Sequence, residues 1–225
     1  MAPDSEGEAS EGGRQRRVKR GEVRRRLLDA AYLVFAERGY EGAGLERVAD
    51  VAGFSKGAVY SNFANKDELF YELIAARIDE RSEAVRAGAA KRAAAARGAS
   101  GARSEGAETA ARLAGQELRE MGEADPGWQM LFIEFWLRCA RSEELRAKLA
   151  EKRLGMRTKI AELVEAQASA SGRSLGRGEA LDLATTVLAL SNGLGIEGLI
   201  DPAAVRPGLF GDILAKIVGP DRPSP

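Results

Sequence analysis

The sequence predicts an all-α protein with a small N-terminal three-helix unit and a C-terminal helical bundle. Apolar residues recur at helical spacing in one segment after another. No run of alternating β-branched residues bounded by turn dipeptides develops along the chain. Apolar residues make up 44% of the 225 positions, charged residues 30%, and proline occupies only 7. This composition is typical of soluble helical proteins.

The first two helices follow a polar tail. Residues 1–13 are small, polar and acidic, and we expect residues 1–19 to be disordered, acidic and then basic. The first helix should end at Gly39, and its apolar positions are Leu27, Leu28, Ala31, Val34 and Phe35. A second helix is predicted from about 44 to 51, ending at Gly53, where glycine permits a left-handed helix end.

Capping residues predict the next two helices. Ser55 is a favourable N-cap for a third helix that reaches about Phe63. Asn65 opens a longer fourth helix, and Glu68 stands three residues later, at the spacing of a capping box. Four helices are therefore expected within the first ninety residues.

The remainder of the chain predicts a bundle after a weakly apolar connection. Residues 88–107 are nearly all Ala, Gly, Arg and Ser, which indicates either a frayed helix end or a mobile connection. Five further helices are predicted at 108–122, 127–140, 143–170, 177–200 and 203–218. The expected organisation is a tail (1–19), an N-terminal domain (20–80), a connection (81–107), a C-terminal domain (108–218) and a final tail (219–225).

Charge is distributed unevenly along the chain. The whole sequence carries 34 basic and 34 acidic residues, but residues 13–66 hold twelve basic and six acidic ones, a net charge of +6. The remainder is acidic by the same amount. A cationic segment of this kind favours a polyanionic partner.

Enzyme classes that depend on histidine are excluded, because the chain has no His. We expect no metal and no cofactor, and a helical enzyme remains only a distant alternative. The lone Cys139 cannot form an intramolecular disulfide, which is consistent with a reducing compartment. The longest uncharged apolar stretch, 183–196, is shorter than a membrane span of about 18 residues. With no secretory signal evident, the expected location is the cytoplasm, without membrane association.

The second and third helices, joined by a glycine turn, have the pattern of a helix-turn-helix. A helix enters the major groove of DNA, about 12 Å wide, only if its outward side chains are short enough for base edges to approach. Gly57 and Ala58 meet that requirement. Val59 and Phe63 should face the protein. The remaining side chains suit polar contacts: Lys56, Tyr60 and Ser61 to phosphates, and Asn62 either to read a base or to brace the helix.

Residues 26–70, "RLLDAAYLVFAERGYEGAGLERVADVAGFSKGAVYSNFANKDELF", closely resemble the N-terminal DNA-binding domain of TetR-family transcriptional regulators. The segments "FAERGY", "VADVAGFSKGAVYSNF" and "NKDELF" occur in the family's order and spacing. The resemblance covers roughly residues 20–80. Beyond them, only the general layout of the family's ligand-binding half is recognisable.

The resemblance implies that the third helix is the recognition helix and that Lys66 grips a phosphate. The basic leader, residues 14–26, should contact the flanking DNA. One position departs from the family pattern: Gly44 stands where Thr or Ser usually caps the second helix, so Arg47 and the leader are expected to contribute more of the grip. The predicted DNA-binding residues are Arg20, Arg47, Ser55, Lys56, Gly57, Ala58, Tyr60, Ser61, Asn62 and Lys66.

In the C-terminal half, residues 128–141 form an almost wholly apolar helix. Its aromatic residues are either bundle core or the lining of the cavity that the resemblance implies. Glu134 and Arg138 are expected to be an exposed i, i+4 pair. The candidate ligand-binding residues are Trp128, Phe132, Phe135, Trp136 and Asn192, although Asn192 is equally placed for an interface.

The glycine-rich helix 177–200 predicts close helix packing, because each glycine in a helix costs about 1 kcal/mol. In the family the last two helices pack against their symmetry mates, which implies a homodimer through 177–200 and 203–218. Packing within one chain is the alternative. The candidate interface residues are Leu188, Ser191, Gly195 and Leu199.

The hypothesis from sequence is a sequence-specific DNA-binding regulator. It would be a homodimeric repressor released from a pseudo-palindromic double-stranded DNA operator by a small apolar or aromatic effector. A DNA-binding regulator without a small-molecule effector is the alternative.

Overall fold

A computed structural model describes residues 19–97, 109, 112–113, 116–117, 120, 125–170 and 173–218. All regular secondary structure in these residues is helical, which confirms the predicted all-α class. The helices that can be followed continuously are α1 (Arg20–Gly42), α2 (Leu45–Ala52), α3 (Lys56–Asn62), α4 (Lys66–Arg97), α5 (Pro126–Arg141), α6 (Glu143–Ala170), α7 (Arg177–Ile200) and α8 (Leu209–Val218).

Local sequence signals explain the boundaries of the N-terminal helices. Gly39 kinks α1 with φ 68°, and Gly53 ends α2 with φ 71°, a left-handed conformation that glycine adopts without strain. The Ser55 hydroxyl caps α3 by accepting from the Ala58 amide at 3.2 Å. Asn65 caps α4 by accepting from the Glu68 amide at 2.8 Å, while the Glu68 carboxylate accepts from the Ala64 amide. The caps at Gly53, Ser55 and Asn65 confirm the predictions.

Two boundaries differ from the expectation. The last helix begins at Leu209 and not at 203, because Pro207 and Gly208, with φ 82°, lie in turns that precede it. The second difference is the end of α4, which continues through residues 88–97, because alanine favours the helical conformation. Residues 98–107 lie outside the described residues, as does part of the predicted helix 108–122.

The main core joins the N-terminal helices to α5. Phe70 of α4 contacts Phe35 and Tyr40 of α1 at ring distances of 4.9 and 5.0 Å. It also meets Phe135 of α5 edge-on at 5.6 Å. Aromatic rings in such tilted and edge-on contacts add to the energy of apolar burial. The first half of the chain therefore shares one apolar core with the first helix of the C-terminal half.

The other C-terminal helices pack mainly on one another. Ala161 of α6 meets Ala180 and Ala184 of α7, and all three are fully buried. Because alanine is small, the two helix backbones approach closely along this line. A smaller cluster around Val164 and Ala215 holds α8 against α6.

Candidate nucleic-acid interface

The inner face of α3 fixes the helix on the domain core. Val59 is 0% exposed and Phe63 is 1% exposed, as the sequence predicted. The Arg24 guanidinium of α1 lies over the Phe63 ring at 4.5 Å and donates to the Asn62 carbonyl at 3.0 Å. It also pairs with Glu72 of α4 at 2.9 Å. One arginine therefore joins α1, α3 and α4.

A second arginine of α1 holds the end of α2. Arg26 donates to the Ala52 carbonyl at 3.0 Å and lies over the Phe54 ring at 4.7 Å. Arg24 and Arg26 thus each bind a carbonyl at the C-terminal end of a short helix, where positive charge is favourable. The sequence indicates only that both belong to a basic leader. No spacing signal identifies their bracing role, because their partners lie 38 and 26 residues away.

The outer face of α3 is open to solvent. The exposed residues are Ser55, Lys56, Gly57, Tyr60 and Ser61, while Ala58 is half-buried. Tyr60 is 49% exposed. The Ser61 hydroxyl donates to the Ala58 carbonyl at 2.9 Å and accepts from the Asn62 side-chain amide at 3.4 Å. The short side chains beside Tyr60 create the shallow surface that close approach to a groove requires.

Lys56 carries its charge beside an acidic partner on α2. Its ammonium group pairs with the Glu46 carboxylate and lies 5.9 Å from the Tyr60 ring centre. This hydrogen bond raises the pKa of Lys56 and lowers the pKa of Glu46. Both side chains are well exposed, so a phosphate can replace Glu46 at small cost.

Asn62 braces α3. Its side-chain amide donates to the Ala58 carbonyl at 2.8 Å, and its Oδ1 atom is buried without a partner among the described residues. The sequence is compatible with two roles for Asn62, reading a base or bracing the helix. The geometry supports the bracing role, because the donor is already used.

The predicted flanking cations occupy different settings. Arg20 and Arg47 are exposed, and neither has an ion pair within the described ranges. Lys66 is half-buried, donates to the Glu41 carbonyl at 3.1 Å and lies over the Tyr40 ring at 4.4 Å. Lys66 therefore braces the start of α4 while its charge stays near the surface.

A polar cluster connects the N-terminal helices α1 and α4 to α5. Arg138 donates to Asp67 at 2.5 Å and lies 3.7 Å above the Tyr40 ring, and the Tyr40 hydroxyl donates to Asp67 at 2.9 Å. Glu134 accepts from the Tyr40 amide at 2.6 Å. The expectation of an exposed Glu134–Arg138 pair was wrong, because both side chains have partners on α1 and α4.

The cluster also alters the acidity of its members. Burial, together with the hydrogen bond to Asp67, raises the pKa of Tyr40 to about 12. Burial acts to raise the pKa of Asp67, but the hydrogen bonds from Arg138 and Tyr40 outweigh it and lower that pKa. Tyr40 is therefore neutral and Asp67 is ionised near neutral pH.

The other end of α5 is fixed by a second cluster. Asp125 accepts from the Tyr32 hydroxyl of α1 and pairs with Arg81 of α4 at 3.5 Å. Arg81 also lies 5.1 Å from the Trp128 ring centre. Polar contacts at both ends thus clamp α5 across α1 and α4.

The predicted ligand residues fall into two groups. Trp128 stacks on Phe132 at 5.2 Å, and Phe132 contacts Trp136 at 5.8 Å. Phe135 points the other way and lies in the main core, 1% exposed against Phe70 and Tyr71, and its role as a ligand residue stays a prediction. Asn192 is half-buried on α7, and its Nδ2 atom has no partner among the described residues.

The predicted dimer residues are also divided. Leu188 is 8% exposed and Gly195 lies against Gln129, so both are already engaged within the chain. Ser191 is half-buried, and Leu199 is 37% exposed. Leu199 and Ser191 are therefore the members of the set left free to meet a second chain.

Comparison with known families agrees with this geometry. Residues 27–73 match the family described as "Bacterial regulatory proteins, tetR family", and residues 107–218 match "BetI-type transcriptional repressor, C-terminal". The two matches together span both halves of the chain.

Individual curated relatives match part of the chain. The HTH-type transcriptional activator FasR of Mycolicibacterium smegmatis is 42% identical over 77 residues, which cover 33% of this chain and 35% of FasR. The HTH-type transcriptional repressor AcnR of Corynebacterium efficiens is 42% identical over 60 residues, covering 25% of this chain and 32% of AcnR. The chain thus spans about a third of the length of these curated relatives.

A solved structure resembles nearly the whole chain. The fatty acid degradation regulator FadR of Bacillus halodurans superposes with a TM-score of 0.67 at 17% identity, covering 92% of this chain and 99% of FadR. At this identity the likeness shows a shared fold.

Proposed function

The chain belongs to the TetR family of bacterial regulatory proteins, and from this premise we propose that it is a homodimeric, ligand-responsive repressor of transcription. It would act in the cytoplasm on a pseudo-palindromic double-stranded DNA operator. The observation that carries the proposal is the two-sided character of α3. Its inner face is buried on the domain, while its outer face offers small and hydrogen-bonding side chains to a groove.

DNA contact would divide between α3 and the residues around it. Gly57 and Ala58 would let the helix approach base edges, with Ser61 as the polar reader. Tyr60 and Lys56 would hold phosphates beside them. Arg47 on α2 and Arg20 at the start of α1 would extend the phosphate contacts to either side, since contacts of this kind fix orientation on the duplex.

The clamp on α5 supports a ligand response. Arg138 and Glu134 hold one end of α5 to the DNA-binding domain, and Asp125 holds the other. A ligand that shifts α5 would therefore shift the domain with it. In a dimer this would move the two recognition helices away from the spacing of one DNA turn, about 34 Å. The ligand would act by favouring the state that does not fit the operator.

The uncovered apolar face of α7 supports dimerisation. Among the described residues, α7 alone is long and apolar enough, by length and composition, to cross a membrane, and most of its apolar stretch is not buried within the chain. Ile196, Leu199 and Ile200, 42%, 37% and 82% exposed, form a stripe at i, i+3, i+4. We propose that a second copy of the chain covers this stripe, since two-fold dimers are the commonest oligomers.

The variant Leu199→Glu should weaken dimerisation, because it places a carboxylate in the proposed apolar contact. We expect the dimer dissociation constant to rise by about tenfold or more. Sedimentation velocity across a range of concentrations measures it. Leu154→Glu on α6 is the matched control, because Leu154 is also exposed, at 52%, and lies outside the stripe. Equal effects from the two variants would argue against the stripe as the interface.

Selection of bound duplexes from a random pool tests DNA recognition. It should yield a two-fold symmetric sequence, and the affinity for that duplex should fall steeply with salt concentration because cationic residues release counterions from phosphates. Tyr60→Ala and Lys56→Ala should each lower the affinity by about tenfold. A salt-independent affinity, or full binding by both variants, would contradict the proposal.

Thermal-shift measurements separate this proposal from a DNA-binding regulator without an effector. A compound that binds the folded protein raises its melting temperature in a concentration-dependent way. The same compound should release the selected duplex. Compounds that raise the melting temperature but leave DNA bound would favour a DNA-binding regulator without an effector.

A further inference from the structure

Two arginines on the inward face of α6 have no acidic partner. Arg153 and Arg157 are half-buried, and no carboxylate of the described residues lies within 4.0 Å of either guanidinium. Exposed arginines elsewhere, such as Arg25 and Arg86, pair with glutamates on their own helix at 2.8 and 2.7 Å. Burial and the neighbouring Arg157 lower the pKa of Arg153. Half-buried cations without an acidic partner are costly, and a bound anion would offset that cost.

The packing of α6 on α7 places Arg153 and Asn192 at the same level of the two helices. The two antiparallel helices are in register where Arg177 donates to Glu165 at 3.1 Å and where Ala161 meets Ala184. Eight residues further along each helix, about 12 Å, this register places Arg153 and Asn192 at the same level. The Nδ2 atom of Asn192 is buried without a partner among the described residues.

A second unpartnered amide lies nearby on α5. The Nε2 atom of Gln129 is buried and has no partner in the described ranges. The Gln129 side chain packs against Gly195 of α7, so closely that a Cβ at Gly195 would lie only 2.6 Å from the Gln129 Oε1 atom. Gly195 is one turn from Asn192 on the same face of α7. Two buried amide donors, one on α5 and one on α7, therefore lack acceptors among the described residues.

Aromatic rings of α5 complete the surroundings. Gln129, Phe132 and Trp136 follow one another at i, i+3, i+7 on one face of that helix. Phe132 contacts Trp136 at 5.8 Å, and Arg153 lies 5.2 Å from the Trp136 ring centre. Trp136 remains 43% exposed, so its ring retains free surface beside the guanidinium.

We propose that the region between α5, α6 and α7 binds an organic anion, whose acid group is held by Arg153 and Arg157 and whose apolar body lies against Phe132 and Trp136. Gln129 and Asn192 supply further hydrogen bonds to the acid group. The inference deepens the proposed function, on which it rests, by assigning the effector to the class of carboxylates or other small acids. Guanidinium groups only donate hydrogen bonds, and a planar acid group meets them in a two-point contact.

The class of ligand can be tested with acids and their matching neutral amides. Benzoate, 2-naphthoate and decanoate are compared with benzamide, 2-naphthamide and decanamide, by fluorescence of Trp128 and Trp136 and by thermal shift. At least one acid should bind about tenfold or more tightly than its amide, which is the effect expected for hydrogen bonds to a charged group. Arg153→Gln and Arg157→Gln should each reduce that preference, and Arg153→Lys should retain part of it.

Arg146→Gln is the matched control, because Arg146 is an exposed arginine on the same helix. It should leave the preference for acids unchanged. The proposal is overturned if no acid binds, if the amides bind as tightly as the acids, or if both glutamine variants keep the full preference. Circular dichroism and melting temperature show whether each variant is folded.

The affinity for the selected duplex without any acid distinguishes this inference from the proposed function. Failure of the wild-type chain to bind any duplex would contradict the proposed function whatever the acids do. Specific DNA binding that no acid relieves, together with no acid preference, would overturn only the anionic effector.

Discussion

Gly57→Glu should reduce the affinity for the selected operator by about 100-fold or more, while leaving the fold intact. A carboxylate on the outer face of α3 would meet the phosphates and base edges of the groove, and juxtaposed like charges cost several kcal/mol. The free protein has room for the side chain, because a Cβ at Gly57 would meet only the Ser55 hydroxyl, at 3.7 Å. Glutamate in the first turn of a helix is favourable, so the melting temperature should not fall.

Fluorescence anisotropy with a labelled duplex measures the effect. Gly178→Glu is the matched control, because Gly178 occupies the corresponding second position of α7 and lies outside the DNA-binding domain. A Cβ at Gly178 would meet no neighbouring atom within 4 Å, so this position also has room for the side chain. That variant should bind as the wild type does. Near-normal operator binding by Gly57→Glu would exclude α3 as the recognition helix.

Phe70→Ala should lower the free energy of unfolding by about 3–5 kcal/mol, the usual cost of removing a large buried ring. Phe70 is 1% exposed and contacts Phe35, Tyr40 and Phe135. Because those contacts lie on α1 and α5, the loss should weaken both the DNA-binding domain and its attachment to α5.

Urea unfolding followed by circular dichroism measures the change. The protomer concentration must be the same for each variant, because dimerisation contributes to apparent stability. Leu33→Ala on α1 is the control, since Leu33 is 59% exposed and its truncation should cost well under about 1 kcal/mol. A loss for Phe70→Ala as small as that for Leu33→Ala would show that the aromatic cluster does not hold the two halves together.

Helix boundaries and the buried face of α3 were largely predictable from sequence. Ser55, Asn65 and Gly53 act on atoms a few residues away, so their roles can be read from the residues themselves. The burial of Val59 and Phe63 follows from the helical period in the same way. The late start of α8 was not predicted, because Pro207 and Gly208 outweigh a periodicity that alone suggests a longer helix.

The arginines show where prediction from sequence failed. Arg24, Arg26 and Arg138 all have the pattern of surface charges, yet each binds a group on another helix. Arg153 and Arg157 have no sequence signal that separates them from solvated charges, although they stand on the inward face of α6. A long cationic side chain has the same sequence signal whether it lies in solvent, beneath a ring or beside a ligand.

The sequence by itself determined the helical class, the caps, the polarity of α3 and the family resemblance. All of these depend on residues within a few turns of one another or on a contiguous motif. The tertiary structure alone decided that Arg138 joins Asp67 across 71 residues and that Glu134 joins Tyr40 across 94. The tertiary structure also decided which arginines, among the residues it describes, have no acidic partner. Such pairings depend on how separate helices pack, because neither helical period nor capping carries information about a partner so far along the chain.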